Sequence, residues 1–127
     1  NALGGSDTIS VNNPAGLSGN ITVYGGDPTG SARLIVNGTS GQDLAIFRPT
    51  GVDDGSVSVP GLPTVNFYTV EWVTYDGQGG NDRLTVETPA LTDVITLRPG
   101  MTRDAGSLTF DHISPPAGAL VAVGAAD

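Results

Sequence analysis

The sequence contains no cysteine and no lysine. Without cysteine it can form no disulfide and no thiolate-ligated metal site, and cysteine usage leaves the redox compartment open. Arg33, Arg48, Arg83, Arg98 and Arg103 are the only strong cations, against 13 acidic residues, and the formal net charge is −8. That balance excludes the clustered basic surface with which proteins neutralise nucleic-acid phosphates. Charged residues make up only 14% and aromatics 6% of the chain, and His112 is the one histidine. No apolar run approaches the roughly 18–20 residues of a membrane helix. No secretory leader pattern opens the sequence, so any such segment would lie outside these residues.

What is present is small and turn-forming. Among 127 residues there are 19 Gly and 9 Pro, the two poorest helix formers. At 38% hydrophobic the chain is too apolar for a disordered acidic tail. It is long enough for one domain with a single core. Apolar and small polar residues alternate in Thr8-Ile9-Ser10-Val11, Asn20-Ile21-Thr22-Val23-Tyr24, Ser56-Val57-Ser58-Val59, Leu84-Thr85-Val86, Val94-Ile95-Thr96-Leu97 and Ser107-Leu108-Thr109-Phe110. Period two with β-branched residues predicts half-buried strands. Gly25-Gly26-Asp27-Pro28, Asn37-Gly38, Pro60-Gly61-Leu62-Pro63, Asp76-Gly77 and Pro115-Pro116 separate them and are turn sequences on conformational grounds. The spacing predicts about ten or eleven short strands and no helix.

An internal duplication is visible. Arg33-Leu34-Ile35-Val36 matches Arg83-Leu84-Thr85-Val86, and the same offset of 50 pairs Asp43 with Asp93, Arg48 with Arg98 and Pro49 with Pro99. Asp53–Val59 matches Asp104–Phe110 one residue later, and Ile21–Gly25 resembles Trp72–Asp76. The chain therefore reads as one β domain over 1–127: an N-terminal strand in 1–12, repeat units at 20–70 and 71–117, and a closing strand in 118–127. A four-strand unit present twice predicts an all-β, Ig-like or jelly-roll-type sandwich around one core. A parallel β-solenoid is the rival architecture. Leu34, Val36, Val57, Val59, Trp72, Leu84, Val86, Leu108 and Phe110 are the expected core.

Gly77-Gln78-Gly79-Gly80-Asn81-Asp82-Arg83-Leu84-Thr85 resembles the calcium-binding nonapeptide of RTX proteins, G-G-x-G-x-D-x-U-x, with Gln78 in place of the second glycine. The resemblance implies a calcium site drawing on Asp76, Asn81 and Asp82. The competing reading is a carboxylate that caps its own tight turn. Weaker copies end at Asp7 and Asp43. With Val36–Asp43 and Asn1–Asp7, the pattern also resembles repeat modules of very large bacterial surface and secreted proteins of planctomycete and proteobacterial type. That resemblance implies an extracellular structural or adhesive module and transfers no catalytic residue.

Sequons at Asn20 and Asn37 are candidate glycan acceptors in an exported chain. Phe67, Tyr68, Trp72 and Tyr75 fall within nine positions, as a sugar-stacking platform or as core. Catalysis finds little material. Ser107, Asp111 and His112 are close in sequence, but neighbouring strand residues face opposite sides. The carboxylates sit in turns, where solvation keeps them ionised. Two function classes follow. The first is a non-enzymatic structural subunit or tandem module of an extracellular filament, pilus-like fibre or surface protein, self-assembling with identical or adjacent copies without inserting into a membrane. The second is a calcium- or carbohydrate-binding accessory module of a secreted protein. For the first class, Thr8–Val11 is the expected donor strand, with Ile9 and Val11 as its buried anchors.

Overall fold

The computed structural model describes residues 2, 4–12, 16–26, 31–51, 53–88, 93–99, 105–112 and 120–124, with side chains as far as residue 88. The described residues form eleven strands and no helix: β1 (Thr8–Asn12), β2 (Asn20–Tyr24), β3 (Arg33–Asn37), β4 (Leu44–Pro49), β5 (Gly55–Ser58), β6 (Thr64–Tyr68), β7 (Trp72–Asp76), β8 (Arg83–Val86), β9 (Asp93–Pro99), β10 (Ala105–His112) and β11 (Leu120–Gly124). They make two sheets, ordered β1-β3-β7-β11-β10-β9 and β2-β6-β5-β4-β8. We call these the first and second sheet. The expected all-β, two-sheet architecture is present.

The connectivity combines two habits. From β1 to β4 the chain changes sheet at every turn, and it does so again from β7 to β9. Strands paired in parallel, such as β1 with β3, β3 with β7, and β4 with β8, are connected by chain that passes through the other sheet. Each series of crossings leads into a meander, β4-β5-β6 and β9-β10-β11, each antiparallel and each within one sheet. The final strand of each meander pairs in parallel with the strand that opened its series, β6 with β2 and β11 with β7. Five of the nine described pairings are thus parallel. Solenoid-like crossings and sandwich-like meanders coexist. Only β5 and β10 run against the other strands of their sheets.

Alternation decides what lies between the sheets. Leu34, Val36, Val73 and Tyr75 of the first sheet meet Ala45, Phe47, Val57, Val65 and Phe67 of the second, all at 2% exposure or less. Phe47 and Phe67 stack at the centre, with ring centroids 5.9 Å apart and planes 14° apart. Each such side chain contributes roughly 1.5–3 kcal/mol of burial free energy. Of the expected core, Leu34, Val36, Val57 and Val59 are buried, while Leu84 and Val86 are only partly covered because β8 is an edge strand. Leu108 and Phe110 lie outside the described side chains.

Trp72 departs from expectation. It opens β7 on the outward face and is 39% exposed, while its neighbours Val73 and Tyr75 point inward. Trp72 is expected in the core for the area its ring would bury, but size does not fix the face of a strand. In β2, Ile21 and Val23 pack inward and Tyr24 is exposed, so the inward Ile21 corresponds to Val73. A slip of one residue moves every side chain of a strand to the opposite face. Phe67→Ala is accordingly expected to cost about 3–5 kcal/mol, and Trp72→Ala only about 0.5 kcal/mol, as surface substitutions do. Urea denaturation followed by circular dichroism measures both, and a larger loss at Trp72 would contradict the assignment of faces.

Candidate functional site

The residues of the nonapeptide-like segment lie at one end of the sandwich. One turn, residues 38–43, links β3 to β4, and another, residues 77–82, links β7 to β8. Because β3 pairs with β7 and β4 with β8, turns far apart in sequence lie side by side. Gly38 N–H donates to the Asp76 carbonyl at 2.7 Å, and Arg83 N–H to the Asp43 carbonyl at 2.9 Å. Gln42 Nε2 donates to the Asn81 carbonyl at 3.3 Å. Gly80, at φ +105°, leaves no room for a side chain, because a Cβ there would run into the backbone of Gly41.

Asp43 is the buried hub of this pair. It is 5% exposed. Its carboxylate accepts Thr39 N–H at 2.6 Å and Thr39 Oγ1–H at 2.9 Å, capping its own turn, and also the Tyr75 hydroxyl at 3.2 Å. Asp82 instead caps its neighbour, its Oδ1 accepting Asp43 N–H at 2.8 Å. Asp82 Oδ2 is the one buried side-chain polar atom without a hydrogen bond among the described residues. It sits against Gly77, where a Cβ would strike the carboxylate. Desolvation, then the charge and hydrogen bond of Asp43, and then Asp82 and Asp76 raise the Tyr75 phenol well above its usual value.

Asp76, Asn81 and Asp82, the residues of the expected calcium site, belong to the turn at 77–82 and its flank. Asp76 Oδ1 accepts Gln78 N–H at 3.2 Å. Asn81 is exposed in the left-handed region at φ 61°. Gln78 holds φ 63°, the conformation for which the RTX pattern uses glycine. Among the described residues there is no group of three or more His, Cys, Asp or Glu side chains placed to hold a metal ion.

The other sequence candidates are dispersed. Asn20 is exposed at the start of β2. Asn37 donates its side-chain amide to Ser10 Oγ, the Val11 carbonyl and Asn12 Oδ1, at 3.2, 3.4 and 2.6 Å. The aromatic group divides: Phe67 and Tyr75 are buried, while Tyr68 faces outward and stacks on Tyr24, with centroids 5.3 Å apart. Ser107, Asp111 and His112 lie on β10, outside the described side chains. Away from the paired turns, Asp53 is held above its usual carboxyl value by burial first, then by the charges of Glu71 and Asp54.

Sequence reasoning did not anticipate the open margin of the sandwich. β1 and β2 are edge strands of the two sheets, and between them opens a cleft of about 610 Å³ lined by Ile9, Val11, Ile21 and Val23 among others. β1 itself lies on β3 of the same chain, with Val11 buried and Ile9 half-buried. Asp7 carbonyl accepts Arg33 N–H at 2.7 Å, just as the Asp43 carbonyl accepts Arg83 N–H. At the opposite margin, β9 and β8 are the edges. The inward apolar residues of β2 and β8 mark these margins only through their exposure, which a sequence pattern does not carry.

No protein-family model, no curated protein and no solved structure matches this chain.

The raised Tyr75 phenol has a testable consequence. In the unfolded chain a tyrosine releases its proton near pH 10, while the folded protein retains it. Stability is therefore complete below pH 10 and falls as pH rises beyond it. In a Tyr24→Phe/Tyr68→Phe variant, tyrosinate absorbance is expected to rise together with loss of the β circular-dichroism signal. Tyrosinate forming while the β signal persists would contradict the buried hydroxyl.

Proposed function

We propose that this chain is a structural module of an extracellular bacterial filament, pilus-like fibre or large surface protein, that it assembles by β-strand addition, and that it carries no catalytic centre. The observation that carries the proposal is the pair of open margins. Among the described residues each sheet ends on both sides in an edge strand with no further strand beside it, β2 giving only its Tyr24 carbonyl to Ala2 N–H at 3.0 Å, and in each sheet the two edge strands run in the same direction. An edge offers a row of unpaired N–H and C=O groups to another strand. Addition in this mode, repeated head to tail, builds an open array.

The duplication expected from the sequence supports the same reading. Arg33 and Arg83 each open a strand, and Pro49 and Pro99 each close one. The pairings β4-β5, β5-β6 and β2-β6 recur as β9-β10, β10-β11 and β7-β11. Equivalent strands fall in opposite sheets, so a unit of about 50 residues advances the chain while exchanging the roles of the sheets. Such a rule has no built-in end, as expected of a repeating extracellular polymer. The glycine–aspartate turns and their resemblance to surface-protein repeats support an exported location.

A second reading, a carbohydrate- or calcium-binding accessory module, draws on the outward Tyr24–Tyr68 stack and on the unpaired Asp82 Oδ2. Sedimentation velocity over a concentration series, with calorimetry against calcium and common glycans, separates the two. The structural reading predicts mass that grows with concentration and no binding heat. A monomer at every concentration that binds either ligand at sub-millimolar level would favour the accessory module.

A further inference from the structure

We infer that copies of this chain join head to tail through parallel pairing of β8 in one copy with β2 in the next, with Leu84 beside Ile21 and Val86 beside Val23. The inference rests on the assembly reading above and names its contact.

The chain contains the template for this junction. Its two halves are joined in the first sheet by β3 and β7, which pair in parallel with Leu34 beside Val73 and Val36 beside Tyr75. All four residues face the core. β8 repeats the Arg-Leu-x-Val pattern of β3. β2 stands in the same relation to β6 as β7 does to β11. The equivalent of the β3–β7 contact is therefore one between β8 and β2. Within a single chain these strands lie at opposite margins of the second sheet. They run in the same direction, so translation of one copy brings them together without reversal.

The two margins fit chemically. Leu84, Val86 and Ile21 are only partly buried and Val23 is buried, whereas Ala45, Phe47, Val57, Val65 and Phe67 on the interior strands of the same sheet are at 2% exposure or less. The cleft beside β2 extends the apolar layer to the margin. Neither edge carries a proline or an inward charge, the usual guards against edge-to-edge pairing. The outward residues Asn20, Thr22 and Tyr24 on β2 and Arg83 and Thr85 on β8 set no like charges against each other.

The first sheet explains β1. Thr8 is paired with Arg33 as Leu44 is with Arg83, and the carbonyl of the preceding aspartate accepts the arginine N–H in both cases. β1 thus occupies on β3 the place that β4 occupies on β8. The counterpart of β4 in the second half is β9, since Pro49 and Pro99 close the two strands. In the array, β9 of one copy replaces β1 on β3 of the next, and the segment leading into β1 releases β2, where Ala2 N–H donates to the Tyr24 carbonyl at 3.0 Å. Each copy then supplies five strands to each sheet, and both sheets advance by the same step.

Engineered cysteines test this without background, since the chain has none. Thr22→Cys with Thr85→Cys places the two thiols opposite each other across the junction. Within one copy the two strands are four spacings apart, about 19 Å, beyond the reach of a disulfide. Mild oxidation of the folded variant is expected to give a ladder of covalent multimers on a non-reducing gel. Thr22→Cys with Arg83→Cys, two residues out of register, gives none. Folded monomer from both pairs at millimolar protein, or equal ladders from both, overturns the junction. If sedimentation meanwhile shows growth, assembly stands and this contact falls. A Ser10→Cys/Ile35→Cys staple, which ties β1 to β3, is expected to block growth until reduced. Undiminished growth of the stapled protein overturns the replacement of β1.

Discussion

The parallel pairing of β3 with β7 and of β4 with β8 is the constraint on which the rest of the structure depends. These two contacts, one in each sheet, join the first half of the chain to the second. They bring the turn at 38–43 against the turn at 77–82, and so create the environment in which Asp43 is buried and Asp82 can cap a turn 39 residues away. They also complete the core, because the inward residues of β3 and β7 close over the stacked Phe47 and Phe67. Parallel contacts between distant strands carry a loop-closure cost, here offset by burial of apolar side chains on both strands.

Much of the fold was legible from period two and turn chemistry. The eleven strands, the absence of helix among the described residues, and the boundaries at Arg33, Pro49 and Arg83 follow local pattern. Which sheet a strand joins was not legible, because an alternating strand reads the same in either. Arg33-Leu34-Ile35-Val36 and Arg83-Leu84-Thr85-Val86 look alike and lie in opposite sheets. The large ring of Trp72 points to the core by its apolar area, and residue type does not fix the face. Tyr24 and Tyr75 occupy matching places in the sequence comparison, yet Tyr24 is 50% and Tyr75 1% exposed.

The candidate site was legible in its parts and not in its arrangement. The aspartates ending the glycine turns at Asp43 and Asp82 stand out in the sequence, and the expectation that such residues cap turns describes Asp43 directly. That Asp82 serves its neighbour depends on long-range register, which no local motif contains. The low charge density fits the same picture. Outward faces rich in Ser, Thr and Asn give polarity without the lysines that guard many sheet edges.

The proposed assembly requires that the sheets continue from copy to copy. Fibre diffraction from a concentrated, shear-aligned preparation tests it most directly. Continued sheets place the strands across the fibre axis, so a meridional reflection at the strand spacing of about 4.8 Å is the predicted result. A preparation of separate particles with no meridional strand reflection would contradict it.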